Sequence, residues 1–115
     1  MSQSITVIGY FILSLSAHGP SHAVNLFRDL DYPSLEAARN AVQSALEGRA
    51  QGEAERWSVR GVAKGAVVPI RTWKSQSGHW CREFEETLQL SDGREQKTRA
   101  VRCRSSDGRW KLIGE

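Results

Sequence analysis

The chain is poor in the residues that most often carry chemistry. Among its 115 residues are two cysteines and three histidines. No Cys-x-x-Cys spacing occurs, which removes the usual redox-active dithiol. One His and two Cys at most are left for a metal once the N-terminal segment is set aside, so no metal site is expected. Nor is there an apolar run of the ~20 residues that a membrane-spanning helix needs. The charge bias is small, 16 Lys and Arg against 13 Asp and Glu for a net charge of +3. That is too weak an excess to imply a nucleic-acid partner. With 39% hydrophobic and 25% charged residues, the composition is that of an ordinary globular domain, and the length fits one.

What is present begins with an uncharged apolar run from Ile5 to Ala17. Its length suits the hydrophobic region of a secretory signal peptide. Gly19-Pro20 breaks it, and Ser21-His22-Ala23 puts small residues at the −3 and −1 positions of a cleavage site. Residues 1–23 are therefore expected to be a signal peptide, although Met1-Ser2-Gln3-Ser4 carries no Lys or Arg. The mature domain, 24–115, would start near Val24. Leu15-Ser16-Ala17-His18 has the form of a bacterial lipobox with His18 where the acylated cysteine would stand, so no lipid anchor is expected there.

In the mature chain, Asp31-Tyr32-Pro33-Ser34 marks a helix start, with Ser34 as the expected N-cap. Apolar residues at 35, 38, 42, 45 and 46 make a helical stripe. Glu36 then falls in the first turn, and Gly48 in the C′ position. β-type stretches follow at 56–60, 66–74, 79–90, 95–104 and 109–113, punctuated by Gly-containing turns. Pro69 inside the second implies an edge position or a bulge. The layout is α+β: one N-terminal amphipathic helix packed on an antiparallel β-meander of four to five strands.

The register of the meander can be read from its turns. Leu90-Ser91-Asp92-Gly93-Arg94 and Ser105-Ser106-Asp107-Gly108-Arg109 are the same turn written twice, each a three-residue Ser-Asp-Gly loop with a left-handed glycine. Leu90 then faces Arg94, and counting back along the hairpin brings Cys81 directly opposite Cys103. Opposed residues have Cβ atoms ~4.5–5.5 Å apart, so a disulfide fits with some local adjustment. It would contribute about 3 kcal/mol in the chain-entropy model. The same register pairs Glu85 with Arg99 and Thr87 with Lys97 on the face that carries the cysteines. Trp80, Phe84, Leu88 and Ala100 fall on the other face, assigned to the core. The second turn puts Trp110 opposite Arg104 and Leu112 opposite Arg102, on that core face. A disulfide implies an oxidising compartment, which agrees with export.

Trp73-Lys74-Ser75-Gln76-Ser77-Gly78-His79-Trp80-Cys81-Arg82-Glu83-Phe84 resembles a W/Y-x-S-x-x-G-x-x-C-R-E-F/Y core. Val101-Arg102-Cys103-Arg104 with Asp107-Gly108-Arg109-Trp110 resembles an A-C-R-x-x-D-G-x-W close. Together these are similar to the C-terminal domain of proteobacterial envelope proteins of the 17 kDa surface-antigen type. The resemblance reaches back to Ala45-Leu46-Glu47-Gly48 and Trp57, about the last 70 residues. It implies an outer-membrane or periplasmic protein, peripherally associated with the membrane if at all, without a known enzymatic activity or cofactor. Two features of that family are missing, the lipobox cysteine and a glycine-zipper segment before the domain.

Candidate chemistry is sparse. His79 beside Trp80 and Cys81 would need a nucleophile and an orienting acid to act as a base. Glu83, Glu85 and Glu86 sit too close on one strand for a spaced carboxylate pair and are expected to make cross-strand ion pairs with Arg99 and its neighbours. No catalytic residue is assigned. Arg99, Arg102, Arg104 and Arg109 are the candidates for binding an anionic envelope polymer or an envelope protein. Trp73, which flanks a turn, is the aromatic expected to be exposed, and Trp80 and Trp110 are expected in the core.

Overall fold

A computed structural model describes residues 25–113; the expected signal peptide, 1–23, lies outside them. A 3-10 turn, Leu26–Asp29, leads into helix α1, Tyr32–Gly48. Five strands follow: β1 Glu55–Val59, β2 Ala63–Lys74, β3 Trp80–Leu90, β4 Glu95–Arg104 and β5 Trp110–Leu112. They form one antiparallel sheet in sequence order, β1-β2-β3-β4-β5. Among the described residues no helix is long and apolar enough to cross a membrane.

The helix begins earlier than expected. Asp31 is the N-cap, its carboxylate accepting the Ser34 N–H at 3.0 Å, and Pro33 occupies the first turn, where a missing N–H costs nothing. Two cap-competent residues stand three apart, and the one before the proline wins. Glu36 accordingly sits beyond the first turn, paired with Arg39 at 3.6 Å. Gly48 is the last helical residue and not a left-handed C′ glycine; Arg49 is the C-cap in extended conformation. The buried stripe is Ser34, Ala38, Ala41, Val42, Ala45 and Leu46, so Leu35 is marginal and Ala41 joins it.

This stripe lies on one face of the sheet, over Trp57, Val67, Phe84, Leu88 and Trp110. The indole of Trp57 packs flat on Gly65: a Cβ there would come within 2.6 Å of Trp57 Nε1 and 2.4 Å of the Thr87 carbonyl. Pro69 sits at a bulge, since the β2–β3 register shifts between Pro69 and Arg71. β1 pairs with β2 only as far as Val67, so on that side the proline has no ladder to break.

The β3–β4 and β4–β5 registers are those the turns imply. Cys81 pairs with Cys103, Glu85 with Arg99 and Thr87 with Lys97, and Trp110 faces Arg104 with Leu112 facing Arg102. The β2–β3 loop, Ser75 to His79, repeats the same hydrogen bonds with Gly78 at positive φ, so the turn occurs three times. Cys81 and Cys103 form the disulfide, their Cα atoms 3.9 Å apart, closer than the ~4.5 Å usual for opposed residues.

Core placement differs from expectation at the sheet's end. Phe84, Leu88 and Trp110 are buried, but Trp80 is 50% and Leu112 37% exposed. Alternation fixes the face and not how completely the helix covers each residue on it. Cys81 is buried, 1% exposed, although it belongs to the uncovered face. Trp73 stands opposite it on β2 and is half-buried, with the Arg71 guanidinium 4.3 Å from its ring centroid.

Removing the disulfide by a Cys81→Ser, Cys103→Ser double substitution is expected to lower stability by about 3 kcal/mol. Urea unfolding of the two proteins measures this, and an equal midpoint would show the bridge to be dispensable.

Candidate functional site

The motif residues converge at the C-terminal end of α1. Arg82, 8% exposed, points from β3 into the last carbonyls of the helix and its C-cap. Its Nη1 donates to the carbonyl oxygens of Arg49 at 2.8 Å, Leu46 at 3.0 Å and Ala45 at 3.4 Å, while Nε donates to Thr72 Oγ1 at 2.8 Å. A cation at a helix C-terminus meets both the orphan acceptors and the negative end of the dipole. Burial pulls its pKa below the ordinary arginine value, and the guanidinium stays charged.

Helix and last hairpin are joined by a second set of bonds. The Gln43 amide accepts the Trp110 N–H at 2.9 Å and donates to the Trp110 carbonyl at 2.8 Å, as a neighbouring strand would. Glu47 accepts the Trp110 indole N–H at 2.8 Å and two bonds from Arg104, at 2.9 and 3.3 Å. The Arg104 and Trp110 bonds hold the Glu47 carboxyl below its usual range. Arg102 Nη1 donates to the Trp110 carbonyl at 3.2 Å.

The sheet thus does not bring the four candidate arginines together. Arg102 and Arg104 lie on the helix side and tie the last strands to α1 and to each other. Arg99 lies on the uncovered face, exposed, with Glu85 at 3.7 Å and Glu83 at 4.0 Å. Arg109 is exposed in the last turn, its N–H bonded to Asp107 at 2.9 Å. Trp73 shares the uncovered face but is half-buried, and Trp80 is the exposed tryptophan. His79 is exposed in the β2–β3 turn, its N–H bonded to Ser75 Oγ at 3.1 Å. Among the described residues no three His, Cys, Asp or Glu gather as a metal site would require.

Glu86 departs from the expected ion-pair set. It pairs with Val67 and Thr98, which turns it to the helix side, away from Arg99. Burial raises its pKa from 4.5 to about 7, against the pull of Arg102.

One concavity was not foreseen. On the uncovered face of β1–β4, two rows of side chains enclose about 900 Å³. One row runs Ser58–Lys64–Gln89–Glu95 and the next Arg56–Ala66–Thr87–Lys97. Ser58, Ala66 and Thr87 are short, and the backbone between the rows, through Gly65, forms the floor. The only sequence signal for it was the run of short side chains at alternate positions of three strands.

Residues 60–111 match the family model described as 17 kDa outer membrane surface antigen. That segment is similar to the 17 kDa surface-antigen type. The chain is 29% identical over 85 residues to the 17 kDa surface antigen of Rickettsia bellii (strain RML369-C), covering 73% of this chain and 53% of that one. With the Rickettsia prowazekii (strain Madrid E) 17 kDa surface antigen the identity is 33% over 72 residues, covering 62% and 45%. The chain spans about half the length of these curated relatives. No solved structure matches it. The surface-antigen match begins at the β1–β2 turn and takes in β2 to β5. It includes Arg82, Arg102, Arg104 and Trp110 but not the helix they hold.

Two outcomes test these assignments. Arg82→Met, which keeps the apolar stem and removes the donors, is expected to cost about 2–4 kcal/mol in urea unfolding; Arg82→Lys should recover only part, because one ammonium cannot span the helix end and Thr72. For Glu86 the folded pKa lies above the unfolded one, so the fold binds the proton more tightly. Its stability should be full below about pH 4.5 and fall as pH rises to about 7. Glu86→Gln is expected to match the parent at pH 4 and exceed it by on the order of 1 kcal/mol at pH 8; equal stability at both would refute the burial argument.

Proposed function

We propose that this chain is an exported, non-enzymatic protein of the bacterial envelope, periplasmic or associated with the outer membrane, serving as a structural or interaction module. The observation that carries the proposal is the Cys81–Cys103 disulfide inside the surface-antigen-type segment. A structural disulfide persists in oxidising compartments and is rare in the cytosol. The printed name of the relatives, surface antigen, supports exposure at the envelope. The arginines and tryptophan of the family-like blocks being occupied in fastening helix to sheet supports a scaffold over a reaction centre. Cleavage after Ala23 would deliver the domain to that compartment.

A second reading, a periplasmic binding or inhibitor domain for an anionic envelope polymer or a hydrolase, is favoured by the cation-lined concavity on the uncovered face.

Intact mass of the protein from fractionated cells, before and after reduction, tests the first reading. The expected species begins near Val24, gains two hydrogens on reduction and fractionates with the envelope. A cytosolic species retaining residues 1–23 with two free thiols would refute export.

A further inference from the structure

We propose that the concavity on the uncovered face binds the headgroup of a glycolipid in which a disaccharide carries two phosphates. Charge without internal partners marks this face. Arg56, Lys64 and Lys97 are exposed, and none makes an ion pair or side-chain hydrogen bond among the described residues. By contrast Arg49, Arg71, Arg94, Arg99, Arg104 and Lys111 all have carboxylate partners. These three cations border the broad hollow of this face, and Glu95 is the only carboxylate among its described lining.

Their spacing selects the ligand. Arg56 on β1 and Lys97 on β4 occupy the same row, three strand separations apart, or about 14 Å at the Cα level. Lys64 is diagonal to Arg56, close enough to share one anion with it. The hollow therefore has Arg56 and Lys64 at one end and Lys97, beside Glu95, at the other. Between these ends lie the Thr87 hydroxyl and the Gln89 amide, donors and acceptors suited to sugar hydroxyls, over a floor that Ala66 leaves low. Two phosphates at opposite ends of a disaccharide match that distribution, with the guanidinium and ammonium groups as their partners.

Other anionic ligands fit less well. Single-stranded nucleic acid needs aromatic rings for its bases to stack on, and the one aromatic at the hollow, Trp57, turns its ring to the helix side. A protein partner needs a buried apolar anchor, and no large apolar side chain projects into these two rows. These residues are distinct from the arginines of the last hairpin, so the site is a separate surface. The proposal rests on the envelope reading above only for where such a glycolipid would be met.

Co-sedimentation of the processed protein, as isolated from cells, with phosphatidylcholine vesicles provides the test. The vesicles carry either a diphosphorylated disaccharide glycolipid, the same glycolipid stripped of both phosphates, or phosphatidylglycerol at matched charge. Binding is expected to the first alone, weakening steeply with salt, and to fall at least tenfold in an Arg56→Ala, Lys97→Ala variant. Arg99→Ala should stay within twofold of the parent, and an Arg56→Lys, Lys97→Arg exchange should retain binding. An unchanged unfolding midpoint in the double-alanine variant shows that the loss is not of fold. No binding by the parent, equal binding to phosphatidylglycerol or to the dephosphorylated lipid, or full binding by the double-alanine variant would each overturn the proposal. A chain that binds as expected but is found in the cytosol would sink the envelope reading and leave the groove assignment standing.

Discussion

The arrangement depends on one buried cation. A single amphipathic helix laid on one face of a sheet can slide or rotate with little penalty if only apolar contacts hold it, because hydrophobic burial has no direction. Arg82 supplies direction. Its fork reaches three carbonyls at the end of α1 and one hydroxyl on β2, which pins the helix end along and across the strands. Around this point the Gln43 pair and the Glu47 cluster set the helix against the last hairpin. The three residues 43, 47 and 82 thus fix the register of the helix against the sheet where packing alone leaves it loose.

One consequence is a division of labour between the two faces. On the helix side, Arg82, Arg102 and Arg104 are spent on internal acceptors, and Arg82 stands directly opposite Arg102. Such a like-charge pair is unfavourable unless each partner finds its own acceptors, which here it does: helix carbonyls for one and the Trp110 carbonyl for the other. On the uncovered side, Arg71 and Arg99 offset Glu83 and Glu85, and Arg56, Lys64 and Lys97 are left without a carboxylate partner among the described residues, toward β1 and the β3–β4 turn. Charge that looks uniform along the chain is therefore sorted by strand alternation into structural ties and free surface.

The architecture, the disulfide and the register of the last three strands were legible in the sequence because they follow from local rules. A Ser-Asp-Gly turn fixes which residues face each other, and period-two alternation does the rest. What stayed illegible depended on extent and on partners. The turns that paired Trp110 with Arg104 could not tell that the helix leaves Trp80 half exposed. Strand alternation placed Arg102 and Arg104 on the correct face but could not reveal their internal acceptors, the Trp110 carbonyl and Glu47. Arg82 drew no attention, since nothing in a Cys-Arg-Glu-Phe string reveals a helix end 33 residues earlier in the chain. The hollow between Arg56 and Lys97 was hidden because its borders come from strands 1 and 4, about 40 residues apart in sequence, a separation that local pattern rules do not bridge.

The disulfide sits at the opposite end of the β3–β4 hairpin from its turn. Strands, turn and bridge together make a closed covalent ring from Cys81 to Cys103. A protease that cuts the exposed Ser91–Arg94 loop therefore opens the ring without releasing a fragment, and both strands stay in register to hold Arg82 against the helix. Wherever proteases reach the domain, that geometry confers tolerance to a nick at an exposed tip.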